Sequence, residues 1–251
     1  MIRLLPSCLL PSCLALLLAA CASAPSTPAP DADVFRITPL AQPAELLPRT
    51  LAATPPVETG EFRTSDLVEL VTLDPTLRLD IRYAGTRNFL GVPLYSQARA
   101  FLQRPAAEAL VRVQHALARE GYGLLIHDGY RPWYVTKMFW DATPPAQRRF
   151  VADPEKGSRH NRGCAVDLTL VDLRSGRELD MPSLYDEMTE RAYPTYAGGS
   201  AMARANRDRL RRHMEAEGFA VYEFEWWHFD YRDWPSYPIG NLRFEDLRTS
   251  D

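Results

Sequence analysis

Alternating and continuous apolar segments along the chain predict the strands of a small sheet. Residues 77–83 alternate apolar and polar side chains, as a half-buried strand does, while residues 123–126 form a short buried run. Residues 67–70, 163–171 and 219–231 carry similar patterns. We therefore expect strands to be spread along the chain from about residue 67 onwards.

Helices are predicted where apolar residues recur at three- and four-residue spacing. Residues 105–120 and 200–217 show this spacing, and Ser200 can cap the second helix while Gly218 ends it. Residues 133–150 predict a helix, a break at two consecutive prolines and a second short helix. With 251 residues, 46% of them apolar, the chain can form one sizeable domain, which we place at residues 61–251.

The first residues predict an export signal. A basic start at Arg3 precedes an almost wholly apolar stretch that ends in Leu-Ala-Ala before Cys21. This resembles a bacterial lipoprotein signal, in which the cysteine receives the lipid and becomes the new N-terminus. The alternative is an uncleaved membrane anchor. We predict a signal peptide at residues 1–20, lipidation of Cys21 and a membrane partner. Ala22 is not acidic, which favours the outer membrane of a bacterial envelope.

Residues 21–60 predict a lipidated tether. Eight prolines lie between residues 22 and 60, and proline interrupts both helices and sheets. One alternative stays open, that residues 34–47 pack on the surface of the domain.

Charge and cysteine content exclude other classes of protein. The formal charge of −3 comes without any basic block, so no nucleic-acid partner is indicated. Three of the four cysteines lie in the first 21 residues, so the domain has no disulfide framework. Cys164 could be a nucleophile or a ligand, but no base is evidently paired with it, and a small buried residue is the preferred interpretation.

Two distant segments carry the candidate chemistry. His160 and Asp167 lie in one, and Glu225 and His228 in the other. Two imidazoles and one carboxylate are a common ligand set for catalytic zinc, with water in the fourth position. Glu225 is then the general base for that water. Asp167 has mostly apolar neighbours, so it needs a cation nearby.

The spacing of these residues makes a structural demand. His160 and Asp167 are seven residues apart, so one straight strand would turn them to opposite faces, and a turn at 161–163 must fold His160 back. Glu225 and His228 also differ in parity. If both serve one metal, a bulge or a strand end must lie between them.

The remaining candidates are weighed against simpler structural roles. Arg131, between a glycine and a proline, could stabilise an oxyanion, or it could be a surface arginine in a turn. His127 is interpreted as packed or hydrogen-bonded, and His115 and His213 as helix residues outside any metal site.

Together these motifs resemble a known family. Ser158 to Asp167 with His-x6-Asp, and then Glu-Trp-Trp-His at 225–228, resemble the zinc D-alanyl-D-alanine dipeptidases, which include the vancomycin-resistance dipeptidases. The segments at residues 80–83, 88–89 and 128–132 also look like that family. The resemblance spans about residues 65–232.

The resemblance implies an α+β fold, a small antiparallel sheet with flanking helices, related to the zinc D-Ala-D-Ala carboxypeptidases and the hedgehog signalling domain. It implies one Zn²⁺ and the following roles: His160, Asp167 and His228 as ligands, Glu225 as catalytic acid/base, Arg131 as transition-state stabiliser, and Ser158, Tyr83 and Asp186 as pocket residues.

The implied activity is hydrolysis of D-Ala-D-Ala, or of similar D,D-dipeptides, in the cell envelope. Two rivals stay open: a DD- or LD-carboxypeptidase acting on peptidoglycan stem peptides, and a non-catalytic wall-binding lipoprotein. The sequence departs from the family at residues 181–186, which read Met-Pro-Ser-Leu-Tyr-Asp where members more often have Met-Gly-Thr and Phe-Asp. The lipoprotein signal departs from the cytoplasmic resistance enzymes and suggests trimming of wall-derived dipeptides.

Overall fold

The computed structural model describes residues 1–2 and 34–247. The signal sequence from Arg3 onwards and Cys21 lie outside these residues, so lipidation stays a prediction. The helices are α1 Pro43–Ala52, α2 Leu70–Leu73, α3 Arg104–Ala118, α4 Trp133–Ala142 and α5 Ala201–Ala216. The strands are β1 Leu67–Glu69, β2 Arg78–Leu79, β3 Phe101–Gln103, β4 Tyr122–Asp128, β5 Ala165–Asp172, β6 Phe219–Tyr222 and β7 Glu225–Tyr231.

A five-stranded sheet in the order β2-β4-β5-β7-β6 forms the centre of the fold. Its pairs are antiparallel except for β2, which runs parallel to β4. β1 and β3 form a separate antiparallel pair. This arrangement confirms the predicted α+β class, with one parallel edge that the sequence did not indicate.

The predicted helices are confirmed as α3, α4 and α5. The apolar face of α3 is completely buried at Leu110, Val113 and Leu117. Ser200 caps α5 by accepting a 3.0 Å hydrogen bond from the amide of Ala203. Packing of α3 against β4 fixes the strand whose exit carries the Arg131 segment.

Two predicted strands are shorter than their patterns indicate. Residues 77–83 form a strand only at Arg78–Leu79, and a 3-10 turn at Arg82–Ala84 follows. The Asn88 side chain explains the turn, since its amide donates to the carbonyls of Gly85 and Val92 at 2.8 and 2.9 Å and lies 3.2 Å from that of Arg82. Residues 219–231 form a hairpin, β6 and β7, rather than one strand.

The segment before the predicted domain boundary is more structured than a tether. Residues 43–52 form α1, in which Leu46 and Thr50 are buried and which packs against α4. Pro43 occupies the first turn, where proline costs no hydrogen bond, so the proline count was a poor guide. The amides of Ile37 and Leu40 also donate to Phe89 and Ala142 of the body. Residues 34–52 therefore pack on the domain. Within the described residues, no helix has the length and apolar character to cross a membrane.

Candidate metal centre

The central strands bring two of the predicted ligands together. Asp167 on β5 is the register partner of His228 on β7, and on its other side it faces Asp128 of β4. Side chains opposite each other on neighbouring strands lie about 5 Å apart at Cβ. This row of polar residues therefore crosses the buried middle of the sheet.

A bulge in β7 lets Glu225 join His228 on one face. Val221 pairs with Phe229, but the next residue, Tyr222, pairs with Glu225. Residues 226–228 of β7 therefore have no paired residues on β6, because Val221 and Tyr222 are adjacent in the chain. This irregularity satisfies the demand that the sequence made for two residues of opposite parity.

His160 reaches the same point from a turn. Its backbone amide donates to the Oγ of Ser158 at 3.2 Å, and its carbonyl accepts from Gly163. Gly163 has a φ of +68°, where a side chain would be strained, and a Cβ there would lie 2.4 Å from the end of the Leu67 side chain, so the turn favours glycine. The turn folds His160 back over the sheet, as predicted.

Three ligand atoms converge within this buried cluster. The Nε2 of His160 lies 3.0 Å from the Nδ1 of His228 and 3.3 Å from the Oδ1 of Asp167, and the last two atoms are 3.1 Å apart. Atoms bound to zinc at about 2.0–2.2 Å in a tetrahedron lie roughly 3.3–3.6 Å from each other. The spacing fits a single small divalent cation.

The surroundings of the cluster support this fit. The side chain of Asp167 is only 3% exposed, so water cannot satisfy its Oδ1, and this oxygen has no hydrogen-bond partner in the protein. Burial opposes its ionisation, but His160 and His228 outweigh that effect and hold the pKa of Asp167 well below its usual value. An ionised, orphaned oxygen between two imidazoles is suited to a cation.

The imidazoles are oriented by groups behind them. The Nδ1 of His160 lies 2.7 Å from the carbonyl of Gly129, and the Nε2 of His228 lies 2.9 Å from Asp230. An acceptor at one ring nitrogen places the hydrogen there and leaves the lone pair of the other nitrogen for a metal. Asp230 was not foreseen from the sequence.

Glu225 lies beside the three ligand atoms without joining them. Its Oε2 is 3.7 Å from the Nδ1 of His228, and its side chain is 13% exposed. Burial raises the pKa of Glu225 to about 8, against the opposing effect of His228. A carboxylate with a raised pKa can both accept and return a proton near neutral pH.

Arg131 is held by a carboxylate that sequence reasoning missed. Its Nε and Nη2 lie 2.9 and 2.7 Å from Oδ2 of Asp128, and Nη2 lies 3.6 Å from Asp167. The guanidinium also faces the rings of Tyr83 and Phe139 at 5.3 and 4.7 Å. Asp128 lies in the segment at residues 128–132 that resembles the family, but residue spacing assigned it no role.

One cavity of about 390 Å³ is lined by the three candidate ligands together with Glu225 and Arg131, and also by Ser158, Tyr83 and Asp186. Tyr83 donates a 2.8 Å hydrogen bond to Oδ1 of Asp186, whose Oδ2 is buried without a partner. Asp186 has a φ of +61°, an uncommon conformation for a residue other than glycine. Asp186 therefore contributes to the cavity lining a carboxylate with one oxygen that has no hydrogen-bond partner.

Comparison with known proteins agrees with this geometry. Residues 63–246 match the family model described as D-ala-D-ala dipeptidase, Peptidase M15. The chain belongs to the D-Ala-D-Ala dipeptidase family. The family indicated by the sequence motifs is therefore confirmed, and the protein is a metallopeptidase of the dipeptidase type.

Its relatives cover most of the domain. The D-alanyl-D-alanine dipeptidase of Escherichia coli K12 is 38% identical over 176 residues, 70% of this chain and 90% of the relative. That of Enterococcus faecium is 37% identical over 189 residues, 67% of this chain and 92% of the relative. A solved LD-carboxypeptidase, LdcB, overlaps 76% of this chain and 83% of its own at 20% identity and a TM-score of 0.39.

The other candidates of the sequence, Cys164 and three histidines, do not line this cavity. Burial raises the pKa of Cys164 to about 12, which leaves no nucleophilic thiolate at neutral pH. His127 is fully buried with its Nδ1 3.3 Å from the carbonyl of Asp80. His115 is exposed beside Asp74, and His213 lies 2.9 Å from Glu120.

Proposed function

We propose that this protein hydrolyses D-Ala-D-Ala, or closely similar D,D-dipeptides, with one zinc ion held by His160, Asp167 and His228. The observation that carries the proposal is the convergence of three ligand atoms 3.0–3.3 Å apart beside a carboxylate and an arginine in one cavity. The names of the relatives supply the substrate.

Zinc is the cation that best suits the donor set. Two neutral imidazole nitrogens and one carboxylate oxygen form a three-ligand site that keeps a fourth position open. A bound zinc ion would supply Lewis acidity, lowering the pKa of a water molecule and polarising the scissile carbonyl.

Glu225 performs the proton transfers in this proposal. Its carboxylate takes a proton from the attacking water and delivers it to the departing amine. The position of Oε2, 3.7 Å from a ligand nitrogen of His228, puts it within reach of a water molecule beside that nitrogen.

Arg131 stabilises the negative charge that develops on the carbonyl oxygen. Its guanidinium is hydrogen-bonded to Asp128 and packs against two aromatic rings, so it does not need to reorganise during the reaction. The Asp128 carboxylate also pairs with the buried charge of Arg131 when no substrate is bound.

Asp186 is suited to the free ammonium group of a dipeptide. The orphaned Oδ2 is an acceptor without a donor, and an ammonium supplies both a donor and the opposite charge. A free amine next to the scissile bond distinguishes a dipeptide from a longer stem peptide. This pairing favours the dipeptidase over the carboxypeptidase alternative.

The test is hydrolysis of D-Ala-D-Ala by the purified protein, measured as released D-Ala with and without a chelator. We expect turnover that chelation abolishes and zinc restores. Glu225→Gln should keep the metal, measured by elemental analysis, and lose at least about 100-fold in kcat. Turnover of Glu225→Gln at the native rate would contradict the assigned base.

A second arm separates the alternatives. The same enzyme is given a pentapeptide stem that ends in D-Ala-D-Ala, and products are identified by mass. Preference for the stem would indicate a carboxypeptidase, and binding of either ligand without turnover in the presence of zinc would indicate a wall-binding protein.

We also propose that the enzyme is a lipoprotein of the bacterial envelope. The support is the sequence before Cys21, a basic start and an apolar stretch ending in Leu-Ala-Ala. Mass spectrometry of the full-length protein expressed in bacteria tests this proposal. We expect a diacylglyceryl adduct on Cys21 that is absent in Cys21→Ser, and an unmodified, unprocessed chain would refute it.

A further inference from the structure

Tyr185, the residue before Asp186, contacts the candidate ligand Asp167 through its hydroxyl group. Tyr185 is 8% exposed, and its ring packs against Trp227 at 5.5 Å and against His127 at 4.8 Å between centroids. The guanidinium of Arg82 lies 5.8 Å from the same ring. Contacts on these sides leave the phenol little rotational freedom, so the position of its hydroxyl is set by the fold.

The hydroxyl of Tyr185 has two neighbours that could accept its hydrogen. Oδ2 of Asp167 lies 2.9 Å away, and the hydroxyl of Tyr83 lies 3.2 Å away. A tyrosine has only one hydroxyl hydrogen, and an ionised carboxylate is a stronger acceptor than a phenol. Tyr83 meanwhile donates its own hydrogen to Asp186. Tyr185 therefore donates to Asp167.

The two oxygens of Asp167 consequently have different surroundings. Oδ2 accepts from Tyr185 and lies 3.6 Å from Arg131, whereas Oδ1 faces His160 and His228 and has no hydrogen-bond partner. The carboxylate is thus held with one oxygen occupied and the other presented to the ligand nitrogens.

We propose that Tyr185 is a positioning residue for the metal, which fixes Asp167 so that a single oxygen, Oδ1, is available as a ligand. The inference rests on the proposed metal site and assigns a role to a residue at the point where the sequence departs from its family pattern. A phenylalanine there would preserve the ring contacts and lose the hydroxyl. The carboxylate could then rotate and present both oxygens.

The decisive variant is Tyr185→Phe, with zinc affinity measured by competition against a chromophoric chelator. We expect zinc binding to weaken by about 10- to 100-fold, the usual effect of removing a group that orients a ligand. The matched control is Tyr130→Phe, another buried tyrosine, whose hydroxyl bonds to the carbonyl of Leu242. Its affinity should stay within about threefold of the parent protein.

A spectroscopic readout independent of turnover accompanies the affinity. The visible absorption of the Co²⁺-loaded protein falls in intensity as the coordination number rises, so Tyr185→Phe should absorb more weakly than the parent and the control. Thermal unfolding of the metal-free variants establishes that both are folded. An affinity within threefold of the parent, together with an unchanged spectrum, would overturn the inference.

The outcomes keep this inference separate from the proposed function. If the parent protein binds zinc but does not hydrolyse D-Ala-D-Ala, the function is wrong, while the affinity ratio still decides the role of Tyr185. If the parent binds no zinc, or if His160→Ala binds it equally well, both are wrong.

Discussion

At the scale of single residues, each charged side chain around the cavity lies next to one or more groups of opposite charge. Arg131 is paired with Asp128, His228 contacts both Asp167 and Asp230, and Glu225 lies next to His228. Burial strengthens each of these contacts, because there is little water to screen them. A change in one partner should therefore leave a buried charge uncompensated.

Arg131 offers the sharpest residue-level prediction. Arg131→Lys keeps the positive charge but cannot reach Asp128 through two nitrogens or stack on Phe139 with a planar group. We expect kcat for D-Ala-D-Ala to fall by about 100- to 1000-fold with a much smaller change in KM. Steady-state kinetics would measure both, and a variant that raises KM alone would assign Arg131 to ground-state binding instead.

Residue types and spacing predicted which residues meet at the candidate metal centre, but not which residues hold them in place. His160, Asp167, Glu225 and His228 could be found because their types and spacing suit a metal site. The residues that hold them were not predicted, because their contacts depend on how strands and loops meet in three dimensions; they are Asp128, Tyr185 and Asp230. Such contacts depend on register and bulges, which residue spacing alone does not determine.

At the scale of elements, Asp74 fastens the turn between α2 and β2. Its Oδ1 accepts from the amide and hydroxyl of Thr76 at 2.9 and 2.7 Å, and its Oδ2 lies 3.0 Å from His115 on α3. Burial opposes ionisation, but the Thr76 hydrogen bonds and His115 together lower the pKa of Asp74 below its usual value.

This shift gives a pH-dependent prediction. Because the folded pKa is lowered, the carboxylate stabilises the protein above about pH 4, and the effect is lost as pH falls through the folded pKa. Asp74→Asn should lower Tm by about 2–8 °C at pH 7, from about 1–2 kcal/mol of charged hydrogen bonding. Calorimetry from pH 7 to pH 3 should show the difference shrinking. A difference that is constant across this range would exclude ionisation as its source.

The segment before residue 61 is fastened to the metal-bearing turn by Glu58. Its carboxylate accepts from the guanidinium of Arg162 at 2.6 Å and from the amide of Ile239 at 2.6 Å. Arg162 is only 10% exposed at its side chain and also donates to Tyr237. Glu58 thus links three separate parts of the chain.

Glu58→Ala should leave the buried guanidinium of Arg162 without its carboxylate. We expect a loss of about 2 kcal/mol and a fall in Tm of about 4–8 °C. The matched control is Glu61→Ala, an exposed glutamate of the same segment, which should change Tm by less than about 2 °C. Equal effects of the two variants would mean that Glu58 does not fasten the segment.

Elements with clear periodicity were predicted well, and those set by tertiary contacts were not. The spacing of apolar residues located α3 and α5, because each buries one face. Helix α1 was missed, since its prolines hid a helix that is stabilised by packing on α4. The β6–β7 hairpin was read as one strand, because its turn contains no glycine or proline.

For the whole molecule, binding of a cation should stabilise the fold through the three ligands. Zinc at about 1000 times its Kd should contribute about 4 kcal/mol and raise Tm by about 8–16 °C. Differential scanning calorimetry with and without zinc measures the shift, and His228→Ala should abolish most of it. An unchanged Tm for the parent at saturating zinc would contradict a folded-state site.

The placement of Asp167 and His228 opposite each other on β5 and β7 has a kinetic consequence. An ion that joins them would hold two neighbouring strands together, with His160, 1% exposed at its side chain, as the third ligand from the turn. The rate at which the ion dissociates is then limited by local opening of the strands. Removal by an added scavenger should accordingly reach a ceiling rate that the concentration of the scavenger no longer changes.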